Sequence, residues 1–144
     1  MNLRDSLNRY YYDVIVCDLR QLSRTGGGEL SYNSIMYLDV ISFQENDGGC
    51  TVGRLAQTLR VSSSAVTLKI NQLVKMGLVQ KRRSESDHRV IYLTVTDMVA
   101  AFLSGYDSPF ERAVQSVERE FPPEQIETFC SILHRFTEEY KKDF

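Results

Sequence analysis

The chain has 144 residues, 42% of them hydrophobic and 25% charged, the make-up of one folded domain of roughly 100–200 residues rather than of a disordered segment. No apolar run approaches the roughly 18 residues of a membrane span, and the opening MNLRDSLNRYYYD holds no apolar signal core, so a cytoplasmic location with no membrane partner is expected. Three widely spaced cysteines, Cys17, Cys50 and Cys130, exclude a disulfide framework and a CxxC zinc module and fit a reducing compartment.

In chain order, residues 3–22 read as one helix. Leu3, Leu7, Tyr10, Val14 and Cys17 form one apolar stripe, and Ile15, Leu19 and Leu22 a second beside it, a wider face than one neighbouring element usually covers. Gly26-Gly27-Gly28 ends it. A helix follows at about 33–44 with Ile35, Leu38, Ile41 and Tyr37 inward, then the loop 46–49. A short helix over 51–59 turns Val52, Leu55, Ala56 and Leu59 inward. After Arg60-Val61, Ser62 or Ser63 caps a helix running to about Met76, with Val66, Ile70, Leu73 and Val74 inward and Gly77 as its stop. Two β-type runs, 78–83 and 89–95, flank a flexible polar tip, Ser84 to His88. Helix, turn, helix and ribbon in this order make a winged helix-turn-helix. Beyond Thr96 the chain is helical, with a break expected near 105–108, where Ser108-Pro109-Phe110-Glu111 has the form of a new helix start. A last helix from Pro123 carries Ile126, Phe129, Leu133, Phe136 and Tyr140 at spacings of three and four.

The net charge of −2 hides an asymmetry. Residues 51–93 hold eight basic side chains against two acidic ones, a balance of +6, which leaves −8 on the rest. Such a segment suits a polyanion partner better than the whole-chain average suggests. The apolar seams of both end helices favour a homodimer over two helices that only cover each other, since buried apolar surface is worth about 25 cal/mol per Å². A dimer places two recognition helices about 34–36 Å apart, the spacing of two DNA half-sites.

The run 51–95 resembles the multiple-antibiotic-resistance regulator (MarR) family of winged-helix transcription factors. The resemblance lies in Val52-x-x-Leu55-Ala56, in Val61-Ser62-x-Ser64-x-Val66-Thr67, and in Leu73-x-x-x-Gly77-Leu78-Val79. Asp87-His88-Arg89-x-x-x-Leu93-x-Val95-Thr96 then matches the family signature D-x-R-x-x-x-L-x-L-T. Two positions depart from the pattern: Val99 stands where the family commonly has Gly, and Leu68 where a basic residue often follows the recognition-helix Thr.

The resemblance implies a mainly α fold with a small two- to three-stranded β wing, and three regions: an N-terminal dimerisation helix and loop over 1–30, a DNA-binding region over 31–95, and C-terminal dimerisation helices over 96–144. It implies a sequence-specific regulator, a repressor released by a small effector, that binds double-stranded DNA at a pseudo-palindromic operator. Recognition helices enter the major groove and wings the minor groove. Ser63, Ser64, Thr67, Lys69 and Gln72 fall on the recognition helix. Arg82, Arg83, Asp87, His88 and Arg89 fall on the wing, with Asp87 orienting an arginine rather than meeting DNA by charge. The resemblance further implies a phenolic or anionic effector between the dimer helices and the winged helix, where Tyr10, Tyr11, Tyr12, Tyr32 and Tyr37 are the candidates.

A family branch senses hydroperoxides through an N-terminal-helix cysteine. Here no basic residue adjoins Cys17 and Asp18 is its neighbour, so a buried structural thiol is expected in place of a redox-sensing one. An enzyme is not expected: there is no G-x-S-x-G, no phosphate-binding glycine loop and no H-E-x-x-H. His88 and His134 are too far apart to read as a metal pair, so no cofactor or metal is implied. The other class consistent with the fold is a winged-helix protein–protein adaptor, which the basic wing disfavours.

Overall fold

Three helices begin with the same device, a hydroxyl that accepts the backbone N–H three residues on. Ser31 takes the N–H of Ser34, Thr51 that of Arg54 and Ser62 that of Ala65, each at 3.1 Å. The computed structural model describes residues 1–25 and 30–144 and divides into two compact units, 1–102 and 103–144. The first holds α1 (Leu3–Thr25), α2 (Tyr32–Glu45), α3 (Val52–Leu59), α4 (Ser63–Lys75), β1 (Val79–Arg83), β2 (Ile91–Val95) and the start of α5 (Asp97–Glu120). The second holds the rest of α5, then α6 (Pro123–Tyr140) and a 3-10 turn at Lys141–Asp143. Gly26 to Gly28, expected to end the first helix, lie outside the described residues.

The core of the first unit is built from one stripe of each element. Leu38 and Ile41 of α2, Leu55 of α3, Val66, Ile70 and Leu73 of α4 and Leu93 of β2 are at most 2% exposed. Each such side chain gains about 1.5–3 kcal/mol on full burial. α3 packs on α4, α4 on β1, and β2 on α2. β1 and β2 pair antiparallel from Val79↔Val95 to Arg83↔Ile91. Cys50 adds a bridge to Leu93 and accepts its N–H at 2.8 Å, so a third strand is present only as one rung.

Two glycines do what no other residue does as well. Gly77, at φ +74°, turns the chain out of α4 into β1. Gly49, at φ +99°, leaves room for the Tyr92 ring, which would stand 2.7 Å from a Cβ there.

Three expectations need correction. Val74 is exposed, because it sits one position past the Val66–Ile70–Leu73 stripe, on the flank of α4. The second strand begins at Ile91 rather than Arg89, because the Val90 N–H is drawn back to the Asp87 carbonyl at 3.0 Å. The break near 105–108 is absent: α5 runs from Asp97 to Glu120 with Pro109 inside it. Pro109 removes one hydrogen bond, and the residue four before it is Gly105, the smallest neighbour the proline ring could meet. Ser108 does not cap the backbone; its hydroxyl accepts from Arg112 instead.

The end helices keep their apolar seams uncovered. Leu3, Val14 and Leu19 of α1 are exposed, and so are Phe129, Leu133, Phe136 and Tyr140 of α6, a helix with no buried residue.

The loop joining α2 to α3 is strapped by one side chain. The Arg54 guanidinium donates to the carbonyls of Gln44 (3.3 Å), Asp47 (2.5 Å) and Gly49 (2.8 Å), and pairs with the Asp47 carboxylate at 2.8 Å. Hydrogen bonds from a charged group are worth about 1.5–3 kcal/mol each when a partner is left unpaired, less where solvent can replace it. We expect Arg54→Ala to lower unfolding free energy by about 1.5–3 kcal/mol in urea titrations. Arg54→Lys is expected to recover only part of this, since one ammonium cannot span the same fork. A loss within the error of the titration would show that the strap is dispensable.

Candidate nucleic-acid interface

Burying Val66, Ile70 and Leu73 decides which side of α4 faces out. Ser63, Ser64, Thr67, Leu68, Asn71, Gln72 and Lys75 all lie on the exposed side. Ser62 is the cap, so Ser63 and Ser64 stand free of that duty in the first turn, where the helix N-terminus also favours a phosphate. Thr67 lines a cleft with Thr51 and Gly53 at the start of α3 and with Lys81 and Arg89 of the wing. Helix and wing thus contribute to one concave surface. The Lys81 ammonium donates to the Asn71 side-chain oxygen at 2.8 Å, joining ribbon to helix within that surface.

The wing is basic. Lys81, Arg82, Arg83 and Arg89 are exposed. Strand alternation puts Lys81 and Arg83 on one face of the ribbon and Arg82, opposite Tyr92, on the other. The tip closes on itself through hydrogen bonds. Ser84 N–H donates to the Val90 carbonyl at 2.8 Å, and the Asp87 N–H to the Ser84 hydroxyl at 3.3 Å. Arg83 reaches the His88 carbonyl at 2.7 Å, leaving the His88 side chain exposed.

Asp87 and Arg89 form the centre of this turn. The Asp87 carboxylate accepts the Arg89 backbone N–H and Nε–H, each at 3.1 Å, and a second guanidinium N–H at 3.3 Å. The arginine side chain is 91% exposed, so a fork gripped at its base presents its remaining donors outward. These hydrogen bonds, from side chain first and backbone second, hold the Asp87 carboxyl below its ordinary pKa.

Other candidates are placed elsewhere. Lys69, expected at the DNA surface, is turned to α2: its ammonium donates to the Ser34 hydroxyl at 2.8 Å and lies 5.8 Å from the Tyr37 ring centre. Position 69 follows the outward stripe by one residue and flanks the core, where an aromatic face and a hydroxyl are in reach. Arg54, counted with the basic segment, is spent on its own loop. The basic side chains of residues 51–93 that remain exposed are Arg60, Lys75, Lys81, Arg82, Arg83 and Arg89.

The candidate tyrosines are spread over α1 and α2. Tyr37 belongs to the α2–α4 contact. Tyr10 and Tyr11 are exposed on α1, and Tyr32 opens α2. Desolvation raises the Tyr32 hydroxyl, and the Asp18, Tyr11 and Asp39 charges add to that. Desolvation and the Asp18 charge also raise the Asp39 carboxyl. Cys17 is exposed, not buried. Its stripe on α1 finds little cover within the described residues. Cys50 is the buried thiol, its pKa pushed up to about 11 by desolvation.

Asn71 escaped the sequence reading of this surface, and Leu68 entered it only as a departure from the family pattern, although the helical period through Val66, Ile70 and Leu73 already assigns both to the outer face. Among the described residues no group of three or more metal-ligating side chains occurs, and no helix is long and apolar enough to cross a membrane.

A sequence model of the MarR family matches residues 31–91, the span from the α2 cap to the first residue of β2. An HTH-type transcriptional regulator of Bacillus subtilis, YfiV, is 26% identical over 139 residues, 91% of this chain and 87% of that protein. The transcriptional regulator AdcR of Streptococcus pneumoniae is 30% identical over 89 residues, 58% of this chain and 61% of that one. Among solved structures, Streptococcus pneumoniae FabT in complex with DNA superposes with a TM-score of 0.71 at 20% identity, covering 99% of this chain and 97% of that one. At that identity the likeness is one of fold.

The Asp87 pair can be tested on its own. A lowered folded pKa means that the ionised carboxylate favours the folded turn. Its contribution is present above the unfolded value of about 3.9 and fades as pH falls through the lowered value. We expect an NMR carboxyl titration to place Asp87 below its ordinary pKa, and Arg89→Ala to bring it back up. An unchanged Asp87 midpoint in the variant would remove Arg89 as the cause.

Proposed function

We propose that the chain is a winged-helix transcriptional regulator of the MarR type, whose family model matches residues 31–91, and that it represses transcription as a homodimer on a pseudo-palindromic operator. α4 enters the major groove and the wing the adjacent minor groove. Ser63, Ser64, Thr67 and Gln72 supply contacts from the helix, and Arg82, Arg83, His88 and Arg89 from the wing, with Asp87 orienting Arg89. The observation that carries the reading is the shared concave surface on which Thr67 of α4 meets Lys81 and Arg89 of the wing. Its exposed charge is cationic, which suits a phosphate backbone.

The apolar seams of α1 and α6 support the dimer. Phe129, Leu133, Phe136 and Tyr140 lie exposed on one helix, and a two-fold partner covers the same patch on both chains. The regions 1–30 and 96–144 then serve dimerisation, and 31–95 serves DNA. Release by a small phenolic or anionic effector is the remaining part of the reading, with Tyr10, Tyr11, Tyr32 and Tyr37 of α1 and α2 as its candidate contacts.

The test is to retain genomic fragments on the purified protein, sequence them, and measure affinity for the recovered operator against salt. Arg89→Ala is expected to cost about 1.5–3 kcal/mol per half-site and to lower the slope of log K on log salt by about 1. Lys75→Ala, at the far end of α4, is expected to cost less. Asp87→Ala separates two physical effects: removing a negative charge favours a polyanion, whereas losing the grip on Arg89 weakens its contact. We expect weaker binding, and tighter binding at every salt concentration would overturn the orienting role. No retention of any duplex at low salt would leave the protein–protein adaptor standing. Leu133→Glu is expected to shift the sedimentation equilibrium from dimer to monomer and to abolish operator binding with it.

A further inference from the structure

We propose that Leu68 reads thymine, through its C5 methyl group, and so sets one position of each operator half-site. The inference rests on the assignment of α4 as the DNA-reading helix and deepens it. Leu68 is 74% exposed, yet it is not at the margin of the interface. It lies in the middle of the outward stripe, one turn after Ser64 and one turn before Gln72, with Asn71 also beside it. Residues three and four apart on a helix face each other at about 5–6 Å between Cβ atoms. It cannot turn inward, because Val66 and Ile70 on either side already fill the core positions at 0% exposure.

Single exposed leucines are ordinary on protein surfaces. This one is set among hydroxyl and amide side chains on a cationic surface, and the neighbouring cation, Lys69, is committed to Ser34 and Tyr37. The centre of the helix thus presents a branched apolar group where a hydrogen-bonding side chain would meet a base edge or a phosphate. Leu68 has no donor or acceptor for either. The apolar feature that the major groove offers is the thymine methyl. Against a G·C pair the same side chain would cover base-edge donors and acceptors without replacing their water, a cost that adds rejection to attraction. Gln72 pairs bidentately with adenine. Stacked bases are about 3.4 Å apart along a strand, so the thymine under Leu68 lies one or two base pairs from that adenine.

The experiment replaces each thymine of the recovered operator half-site by deoxyuridine, which keeps every hydrogen-bonding group and lacks only the methyl. With wild-type protein, one position under α4 is expected to lose about fourfold in affinity per half-site, the factor that burying one methyl group supplies. Leu68→Ala is expected to bind the thymine and deoxyuridine operators equally at that position while keeping its salt dependence. The side chain is exposed and alanine is the better helix former, so the variant retains the fold; the wild-type scan needs no variant at all. Equal wild-type affinity for every deoxyuridine operator overturns the inference, as does a penalty that persists in Leu68→Ala. In both cases specific binding remains, so the DNA-reading assignment survives. A protein that recovers no operator overturns that assignment and the role of Leu68 together.

Discussion

The burial of Val66, Ile70 and Leu73 is the constraint on which the rest of the molecule depends. These three side chains are wholly inaccessible, on a helix that packs against α3 and β1. Because a helix is rigid about its axis, fixing one stripe fixes the opposite one. Ser64, Thr67, Leu68, Asn71 and Gln72 therefore face outward for a reason unrelated to what they touch. The wing depends on the same constraint at one remove: α4 packs on β1, and Gly77 sets the angle between them. Apolar burial of several side chains, each worth about 1.5–3 kcal/mol, outweighs any single polar contact at the surface. Interface residues can differ without cost to the frame.

Within this frame the basic side chains have two different uses. Arg54 and Lys69 are internal. The first ties three carbonyls and a carboxylate of the α2–α3 loop, and the second joins α4 to Ser34 and Tyr37 of α2. Arg89 shows the other use, an external cation held from behind by Asp87. The distinction matters for reading charge as function. A formal +6 over residues 51–93 overstates the field available to a polyanion, because a guanidinium hydrogen-bonded to carbonyls and paired with Asp47 no longer acts as a free charge. What remains is concentrated toward the ribbon. A ribbon tip closed by its own hydrogen bonds also presents those charges with less entropy to lose than a mobile loop would.

The helices at the two ends follow a different logic. Their seams are apolar over many turns, but among the described residues Leu19, Phe129 and Leu133 are exposed. Cys17 shares that condition. Its environment is set by whatever covers α1, so its exposure in the chain differs from the burial that its place in an apolar stripe suggested.

The order of elements through the ribbon, a serine cap at position 62 or 63, the stop at Gly77 and the Val66–Ile70–Leu73 stripe of α4 were legible in the chain, because each is a local matter of period, hydroxyl placement or permitted φ. So was the D-x-R pair, whose two residues are close enough to meet in any tight turn. Partners distant in sequence were not legible. Nothing at position 69 says that its ammonium will find Ser34, thirty-five residues earlier, and nothing at position 54 says that its guanidinium will close the loop before it. The continuity of α5 through Pro109 also went against the local signal, since a cap motif competes with helix propagation and only the surrounding structure decides between them. Sequence alone determined which surfaces of each element are apolar and which are charged. Tertiary packing decided which charges are spent inside the fold, because hydrogen-bond partners are chosen by distance in space and not by distance along the chain.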